Sequence, residues 1–334
     1  MVRVIWYCGP IITTTVHMQT VPNVNIVVPL YNEEEVFDQL ISRLRGVMER
    51  TELSVEVILI DDGSRDSTAA LMRKVAESDS RFRSVILSRN FGHQLALSAG
   101  LSIVNASDAI LIVDGDLQDP PELLEDFYAK YEEGYDVVYA VRKKRKEGWL
   151  KRTAYSSFYR FLKKISYIDM PLDSGDFSLV SRRVIDQMNA MPEESRFLRG
   201  MRSWIGYKQI GLEYERHERQ SGESKYSFKK LLELALNGIF NFSEYPIKAL
   251  TRLGMLTMTV SGVYLLYVLV KRFFLGTVPD GFTAILFVVI LFGGVQLLAL
   301  GILGEYILRI FFQVKGRPLY IIKEVISSKP PADG

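Results

Sequence analysis

The segment Asp114-Gly115-Asp116-Leu117-Gln118 places two carboxylates and an amide at alternate positions, directly after the apolar run Ala109–Val113. In an extended backbone, residues i, i+2 and i+4 lie on one face. Asp114, Asp116 and Gln118 are therefore expected to converge as oxygen ligands. Such a set selects hard cations, Mg²⁺ or Mn²⁺, which keep part of their water and take up substrate phosphates. Two further polar turns follow apolar runs. One is Pro29-Leu30-Tyr31-Asn32-Glu33; the other is Asp61-Asp62-Gly63-Ser64, followed by Asp66, where Ser64 or Asp66 is placed to cap a helix. Asp-Gly-Ser alone is as readily a strand terminator as a ligand turn, so Asp-x-Asp-x-Gln is the stronger signal. One cysteine, Cys8, leaves no Cys-cluster zinc site and no intramolecular disulfide, and His17, His93 and His217 are scattered.

The elements that must hold these turns alternate in type. β-rich runs at Asn25–Pro29, Val55–Ile60, Ser84–Leu87, Ala109–Val113 and Asp136–Val141 are separated by helical patterns at Glu33–Glu49, Asp66–Glu77, Gly92–Asn105 and Pro120–Glu133. Uninterrupted apolar strands suit a sheet covered on both faces. The βαβ alternation predicts a doubly wound, mostly parallel α/β sheet with ligands at the strand C-terminal ends. No Gly-x-Gly-x-x-Gly or Walker loop follows the first strand, which argues against a nicotinamide enzyme or a P-loop NTPase. The 334 residues accommodate one large α/β domain and something smaller. With 41 Lys and Arg against 39 Asp and Glu, the net charge of +2 argues against a nucleic-acid binder, and 48% hydrophobic residues exclude a disordered chain.

Apolar residues concentrate after residue 250. Leu253–Val270 is 18 residues without a charge, and Phe282–Gly304 is 23 more, with Gln296 the only strongly polar one. At 1.5 Å per residue they reach about 27 and about 34 Å, against a hydrocarbon core of roughly 30 Å. Neither has the polar stripe of a soluble helix. The short loop Lys271–Gly281, with Pro279, makes them a transmembrane hairpin. Lys248, Arg252, Arg309, Lys315, Arg317 and Lys323 flank one end and only Lys271 and Arg272 the other, which predicts a cytoplasmic N-terminal domain. Trp149–Ile168 and Tyr226–Phe242 carry apolar stripes at helical spacing and are expected to lie in the membrane interface. In the first, Arg152, Arg160 and Lys163 are best placed to receive a lipid phosphate. The expected division is 1–22, an extension without assigned function; 23–226, the catalytic domain; 227–247, an interfacial helix; 248–312, two transmembrane helices; and 313–334, a cytoplasmic tail.

Val28-Pro29-Leu30-Tyr31-Asn32-Glu33, Asp61-Asp62-Gly63-Ser64 and Asp114-Gly115-Asp116, at these spacings, resemble glycosyltransferase family 2 over roughly residues 23–230. Three features narrow the resemblance to the polyprenyl-phosphate glycosyltransferases. They are Asp114 through Pro121, Gly175-Asp176-Phe177-Ser178-Leu179, and Arg216 and Arg219 leading to Gly222-Glu223-Ser224-Lys225-Tyr226. The C-terminal hairpin is similar to that of the bacterial glucosyl-type members. The resemblance implies a GT-A, Rossmann-like domain. It places Pro29, Tyr31 and Glu33 in the nucleoside pocket and makes Asp61 the carboxylate that reads the base. Asp114, Gly115 and Asp116 become the diphosphate and metal segment, with Gln118 a further metal ligand. Arg142 is implied as a phosphate or sugar contact, and Arg219 and Lys225 as cations closing over the phosphates.

Asp116, Asp176 and Arg142 are the catalytic candidates. Asp176 matches the position of a base in relatives with hydroxyl acceptors. A phosphate acceptor, with a second pKa of about 6, needs little proton removal, so Asp176 here is assigned to orienting the site. The implied reaction is inverting transfer of glucose from UDP-glucose to undecaprenyl phosphate by a multi-pass hexosyltransferase of a bacterial inner membrane. Its partners are a nucleotide sugar, polyprenyl phosphate and the bilayer, not nucleic acid, and a homo-oligomer is expected, a tetramer being one option. A processive polysaccharide synthase of the same family is the first alternative. Those relatives usually carry Gln-x-x-Arg-Trp and more spans, where this chain has Arg199-Gly200-Met201-Arg202-Ser203-Trp204. The second is a non-enzymatic membrane partner or flippase, for which two helices make a poor path unless oligomerised through Gly293, Gly294, Gly301 and Gly304.

Overall fold

Strand β1 (Val24–Leu30) is buried along its whole length because its side chains enter two different cores. Val24, Ile26, Val28 and Leu30 meet Phe37, Leu40 and Leu44 of α1 (Phe37–Arg50) on one face of the sheet. Val27 meets Ala96 and Leu97 of α3 (His93–Ser102) on the other. The period-2 alternation of a strand thus explains why apolar residues fill both faces of β1, with Asn25 the one buried polar side chain among them. The computed structural model describes residues 21–142, 174–194, 196–215, 245–275 and 281–328.

The remaining elements are β2 (Val55–Asp61), α2 (Thr68–Ser78), β3 (Phe82–Leu87), β4 (Ala109–Ile112), α4 (Leu124–Glu132), β5 (Val137–Arg142), β6 (Ser174–Ser181), α5 (Arg182–Ala190), α6 (Leu198–Ile205), β7 (Gln209–Tyr214), α7 (Tyr245–Leu275), α8 (Phe282–Lys315) and β8 (Ile322–Ser327). Among the described residues the strands form one sheet in the order β7-β5-β6-β4-β1-β2-β3-β8. β6 runs against β4 and β5, and β8 runs against β3, while the other pairings are parallel. The doubly wound, mostly parallel α/β architecture is the expected one.

Two helices are shorter than their patterns suggest. α1 begins at Phe37 rather than Glu33, and the residues before it are tied to the loop after β2, the Glu33 N–H donating to Thr68 Oγ1 at 3.0 Å and the Glu34 N–H to Asp66 Oδ2 at 3.3 Å. α3 ends at Ser102 rather than Asn105, where Asn25 Oδ1 accepts the N–H groups of Asn105 and Ala106 at 2.8 and 2.7 Å.

The C-terminal half departs from expectation more. The segment after α8 is not a free tail: Ile322–Ser327 adds an antiparallel edge to β3, and Arg73 of α2 pairs with Glu324 at 2.5 Å. Of the interfacial helix expected over 227–247, only Tyr245–Ile247 falls among the described residues, and these open α7. Both α7 and α8 are long and apolar enough to cross a membrane, and large side chains such as Phe273 (79% exposed) and Leu297 (72%) project from them uncovered. Hydrocarbon solves that exposure as a water-facing surface does not, and membrane association follows.

Candidate active site

Three loops at the C-terminal ends of β1, β2 and β3 are interlocked by hydrogen bonds. Asn32, at φ 53°, donates its N–H to Ser64 Oγ at 3.0 Å, and its Oδ1 accepts the Arg65 N–H at 2.8 Å. Asp61 is buried, and its carboxylate accepts the Ser64 N–H at 3.1 Å. Asp62 reaches the next loop, accepting the N–H groups of Phe91 at 2.7 Å and Gly92 at 2.9 Å. Gly63 permits this approach. Its φ is +68°, and a Cβ there would fall 2.4 Å from the carbonyl carbon of Arg89. The Asp-Asp-Gly-Ser turn is therefore first a joint between loops. Pro29 is buried at the end of β1, while Tyr31 and Glu33 are half-buried beyond it.

After β4 the chain is not extended, which corrects the geometric premise of the Asp-x-Asp-x-Gln reading. It turns at Gly115–Asp116, and Leu117 has φ 61°. Asp116 Oδ1 accepts the Gln118 N–H at 3.2 Å across that turn, closing it locally. The alternation nevertheless survives in accessibility. Asp114, Asp116 and Gln118 are half-buried, whereas Gly115, Leu117 and Asp119 are buried. Gly115 lies so close to β1 that a Cβ would meet Leu30 Cδ2 at 2.4 Å and the Pro29 carbonyl oxygen at 3.1 Å.

Asp176 arrives from β6. The antiparallel register pairs Ile112 with Ser178, which puts Asp176 just past the end of β4 and alongside Asp114. Arg199 of α6 donates Nε to Asp176 Oδ1 at 2.8 Å and Nη2 to Oδ2 at 3.3 Å, and Gln94 Nε2 donates to Oδ2 at 3.0 Å. His93 Nε2 lies 3.5 Å from both Asp114 Oδ1 and Asp176 Oδ2. Burial alone would raise the Asp176 carboxyl, but Arg199 and His93 hold it well below the ordinary carboxylate range. A carboxylate so fully engaged is an anchor and a poor proton acceptor. Burial pulls the His93 imidazole down, but the hydrogen bond to Asp176 and the charges of Asp114 and Asp176 outweigh it and place the group at about 9.

Asp114 differs from Asp176. Burial, then the charges of Asp119, Asp176 and Asp116, push it up to about 6 against the opposing pull of His93. Its Oδ1 is enclosed without a hydrogen-bond partner. An enclosed carboxylate oxygen amid excess negative charge fits a divalent cation. No group of three or more His, Cys, Asp or Glu side chains among the described residues could hold one alone. One or two carboxylates completed by water and substrate phosphate is the manner of Mg²⁺ rather than of an all-protein cage.

The structure therefore gathers Pro29, Tyr31, Glu33, Asp61, Asp114, Gly115, Asp116, Gln118 and Asp176 at one end of the sheet. Arg142 ends β5, paired in register with Tyr214. Arg152, Arg160, Lys163, Arg219 and Lys225 lie outside the described residues. Sequence reasoning misses Asp62 as a joint and gives no role in the site to His93, Gln94, Arg199 or Arg202. Arg202 is buried behind Asp176, donates Nη1 to Ser178 Oγ at 2.7 Å, and is lowered by burial to about 10. One signal existed: the loop after β3, Arg89-Asn90-Phe91-Gly92-His93-Gln94, also sits at a strand C-terminal end, where ligands gather.

Comparison with known proteins agrees with this arrangement. The family model described as glycosyl transferase family 2 matches residues 25–188. The chain is 42% identical to the uncharacterized glycosyltransferase YkcC of Bacillus subtilis, over 90% of this chain and 93% of that protein. It is 37% identical to the bactoprenol glucosyl transferase of Shigella phage SfII, over 92% of this chain and 99% of that protein. Among solved structures, S. aureus TarS 1-349 in complex with UDP-GlcNAc covers 66% of this chain and 67% of its own at 18% identity and a TM-score of 0.42, too remote a likeness to carry an argument. With such identity along almost the whole length of both relatives, an interlocked set of loops at the strand ends and a family match over β1 to β6, the chain belongs to glycosyltransferase family 2.

Proposed function

We propose that the protein transfers glucose from UDP-glucose to a polyprenyl phosphate, inverting the anomeric centre, at the cytoplasmic face of a bacterial inner membrane. The observation that carries this reading is the extent of the similarity to the phage bactoprenol glucosyl transferase. It spans 92% of this chain and so reaches through α7 and into α8, well beyond residues 25–188 of the family match. The two-helix hairpin also favours a lipid acceptor over the processive synthase and the flippase, both of which need a path through the bilayer.

On this reading Pro29, Tyr31, Glu33 and Asp61 receive the nucleoside. Asp114 and Asp116, with Gln118, hold Mg²⁺ or Mn²⁺, which when bound neutralises charge on the leaving diphosphate. Arg142, Arg219 and Lys225 add cationic contacts to phosphates and sugar. Arg152, Arg160 and Lys163 receive the lipid phosphate at the interface. That acceptor is already an anion, so positioning and charge neutralisation carry the rate, and Asp176 is free to serve as an anchor. Homo-oligomerisation through the small residues of α8 belongs to the same proposal. The test is a donor screen with purified full-length protein, polyprenyl phosphate and either metal, with the lipid product identified by mass. A hexose-phosphate lipid from UDP-glucose supports the reading. A polymeric product, or no lipid product with any nucleotide sugar, overturns it.

A further inference from the structure

Gln94 has no role in the assignments above, yet its side chain spans two walls of the site. Its Oε1 accepts the Leu198 N–H at 2.9 Å, the first N–H of α6, and its Nε2 donates to Asp176 Oδ2 at 3.0 Å. Its own carbonyl accepts the Ser98 hydroxyl at 2.8 Å, one turn along α3. The first N–H groups of a helix have no partner within that helix, so whatever binds them fixes where the helix starts. One residue after Leu198, Arg199 folds back onto the same carboxylate that Gln94 holds. Gln94 thus touches both sides of the Asp176–Arg199 pair. It holds the carboxylate by donating and the helix bearing the guanidinium by accepting.

We propose that Gln94 is a positioning residue for the transfer reaction, its amide bracing α3 against the start of α6 and so setting the Asp176–Arg199 pair beside Asp114. This rests on the transferase reading above. The chemistry demands an amide of this length. Glutamate keeps the acceptor for Leu198 but loses the donor and sets a carboxylate against Asp176. Methionine keeps the length and apolar stem and loses both interactions. Asparagine falls about 1.5 Å short, one carbon–carbon bond.

The test compares wild-type, Gln94→Glu and Gln94→Met full-length protein, using kcat, the KM of each substrate, melting temperature and hydrogen exchange at the Leu198 amide. If Gln94 sets geometry at the reacting centre, Gln94→Glu loses about a hundredfold in kcat and Gln94→Met about tenfold. The donor KM stays within about threefold, since the loops of β1 and β2 are untouched. Leu198 stays protected in Gln94→Glu and becomes exchangeable in Gln94→Met. A wild-type rate in Gln94→Glu, or equal losses in both variants that track melting temperature, overturns the proposal. So does an unprotected Leu198 in the wild type. A wild type that moves no sugar to polyprenyl phosphate overturns the functional reading instead, and the Leu198 exchange pattern still decides the brace.

Discussion

Replacing Asp176 by asparagine separates an anchor from a base. Asp176 is 8% exposed, and its oxygens take Arg199 Nε at 2.8 Å, Arg199 Nη2 at 3.3 Å and Gln94 Nε2 at 3.0 Å. Asparagine offers one accepting oxygen where there were two. Its NH₂ meets a donor whichever way it turns, Arg199 in one orientation and Gln94 in the other. Removing one member of a buried ion pair costs about 3–5 kcal/mol. The Arg199 side chain is 37% exposed and can rehydrate, so screening lowers the expectation to about 2–3 kcal/mol. In a domain of this size that corresponds to a melting temperature lower by roughly 5–10 °C. The assay is thermal unfolding of the full-length protein in detergent beside initial transfer rates, and both are expected to fall, kcat by about a hundredfold. A general base predicts a different pattern, because charged groups kept for chemistry are held at the expense of stability. Lost transfer with an unchanged or raised melting temperature would refute the anchor.

Three further outcomes are expected. Asp116→Asn should depress kcat by more than about a hundredfold with melting unchanged, and excess chelator should do the same to the wild type until Mg²⁺ or Mn²⁺ is restored; full turnover in chelator would remove the metal. Gly63→Ala should cost at least about 2–3 kcal/mol, because a left-handed residue gains a Cβ against the backbone of Arg89, which cannot swing away; a melting curve matching the wild type would contradict the close approach. Asp79, held by Arg81 and Arg45, is lowered from 3.8 to about 2, so its stabilisation is complete above about pH 4 and lost as pH falls through 2. Both arginines are well exposed, which reduces the contribution to about 1 kcal/mol. Asp79→Asn should therefore unfold more easily in urea at pH 7, by a margin that narrows steadily below pH 4.

What was legible in the sequence depended on the distance over which each residue acts. Val-Ile-Leu-Ile in β2 and Ala-Ile-Leu-Ile in β4 declare a strand buried on both faces by local pattern alone. The turns after them declare ligand loops because Asp and Gly follow at once. Asp62 was visible as a motif member, but its work is to bind Phe91 and Gly92, about thirty residues away in the chain, and no spacing rule reports that. Arg199 and Gln94 meet Asp176 only once β6 has run antiparallel beside β4, a reversal that the βαβ rhythm does not foretell. The premise of an extended Asp-x-Asp-x-Gln failed for a local reason, the left-handed turn at Leu117, and what remains of it is an alternation of burial in which Gly115 and Leu117 are pressed inward. β8 escaped notice because its residues, Ile-Lys-Glu-Val-Ile-Ser, do not alternate apolar with polar although their exposure alternates in the sheet, and nothing nearby identifies β3 as its partner.

That returning strand constrains how the domain sits on the bilayer. The chain departs after β7 and comes back to pair with β3, so both ends of the α7–α8 unit are tied to one sheet and the number of crossings must be even. α8 has 34 residues, about 51 Å at 1.5 Å per residue, against a hydrocarbon core of roughly 30 Å. On the proposed reading, with α8 crossing the bilayer upright, some 20 Å of helix stands outside the core. Gln313, near its end, places that surplus on the domain side, where its Nε2 donates to the Pro192 carbonyl at 2.5 Å and its Oε1 accepts the Glu194 N–H at 3.0 Å. The helix thus works as a strut with the loop before α6 fastened to its tip. If α8 crosses the bilayer as proposed, a strut of fixed length sets the height of the strand C-terminal ends above the headgroups. On the proposed reading, that height matters as much as any single cation. A phosphate that cannot leave the headgroup plane reacts only with a donor held within reach, and the gain from such fixed proximity is entropic and needs no further contact.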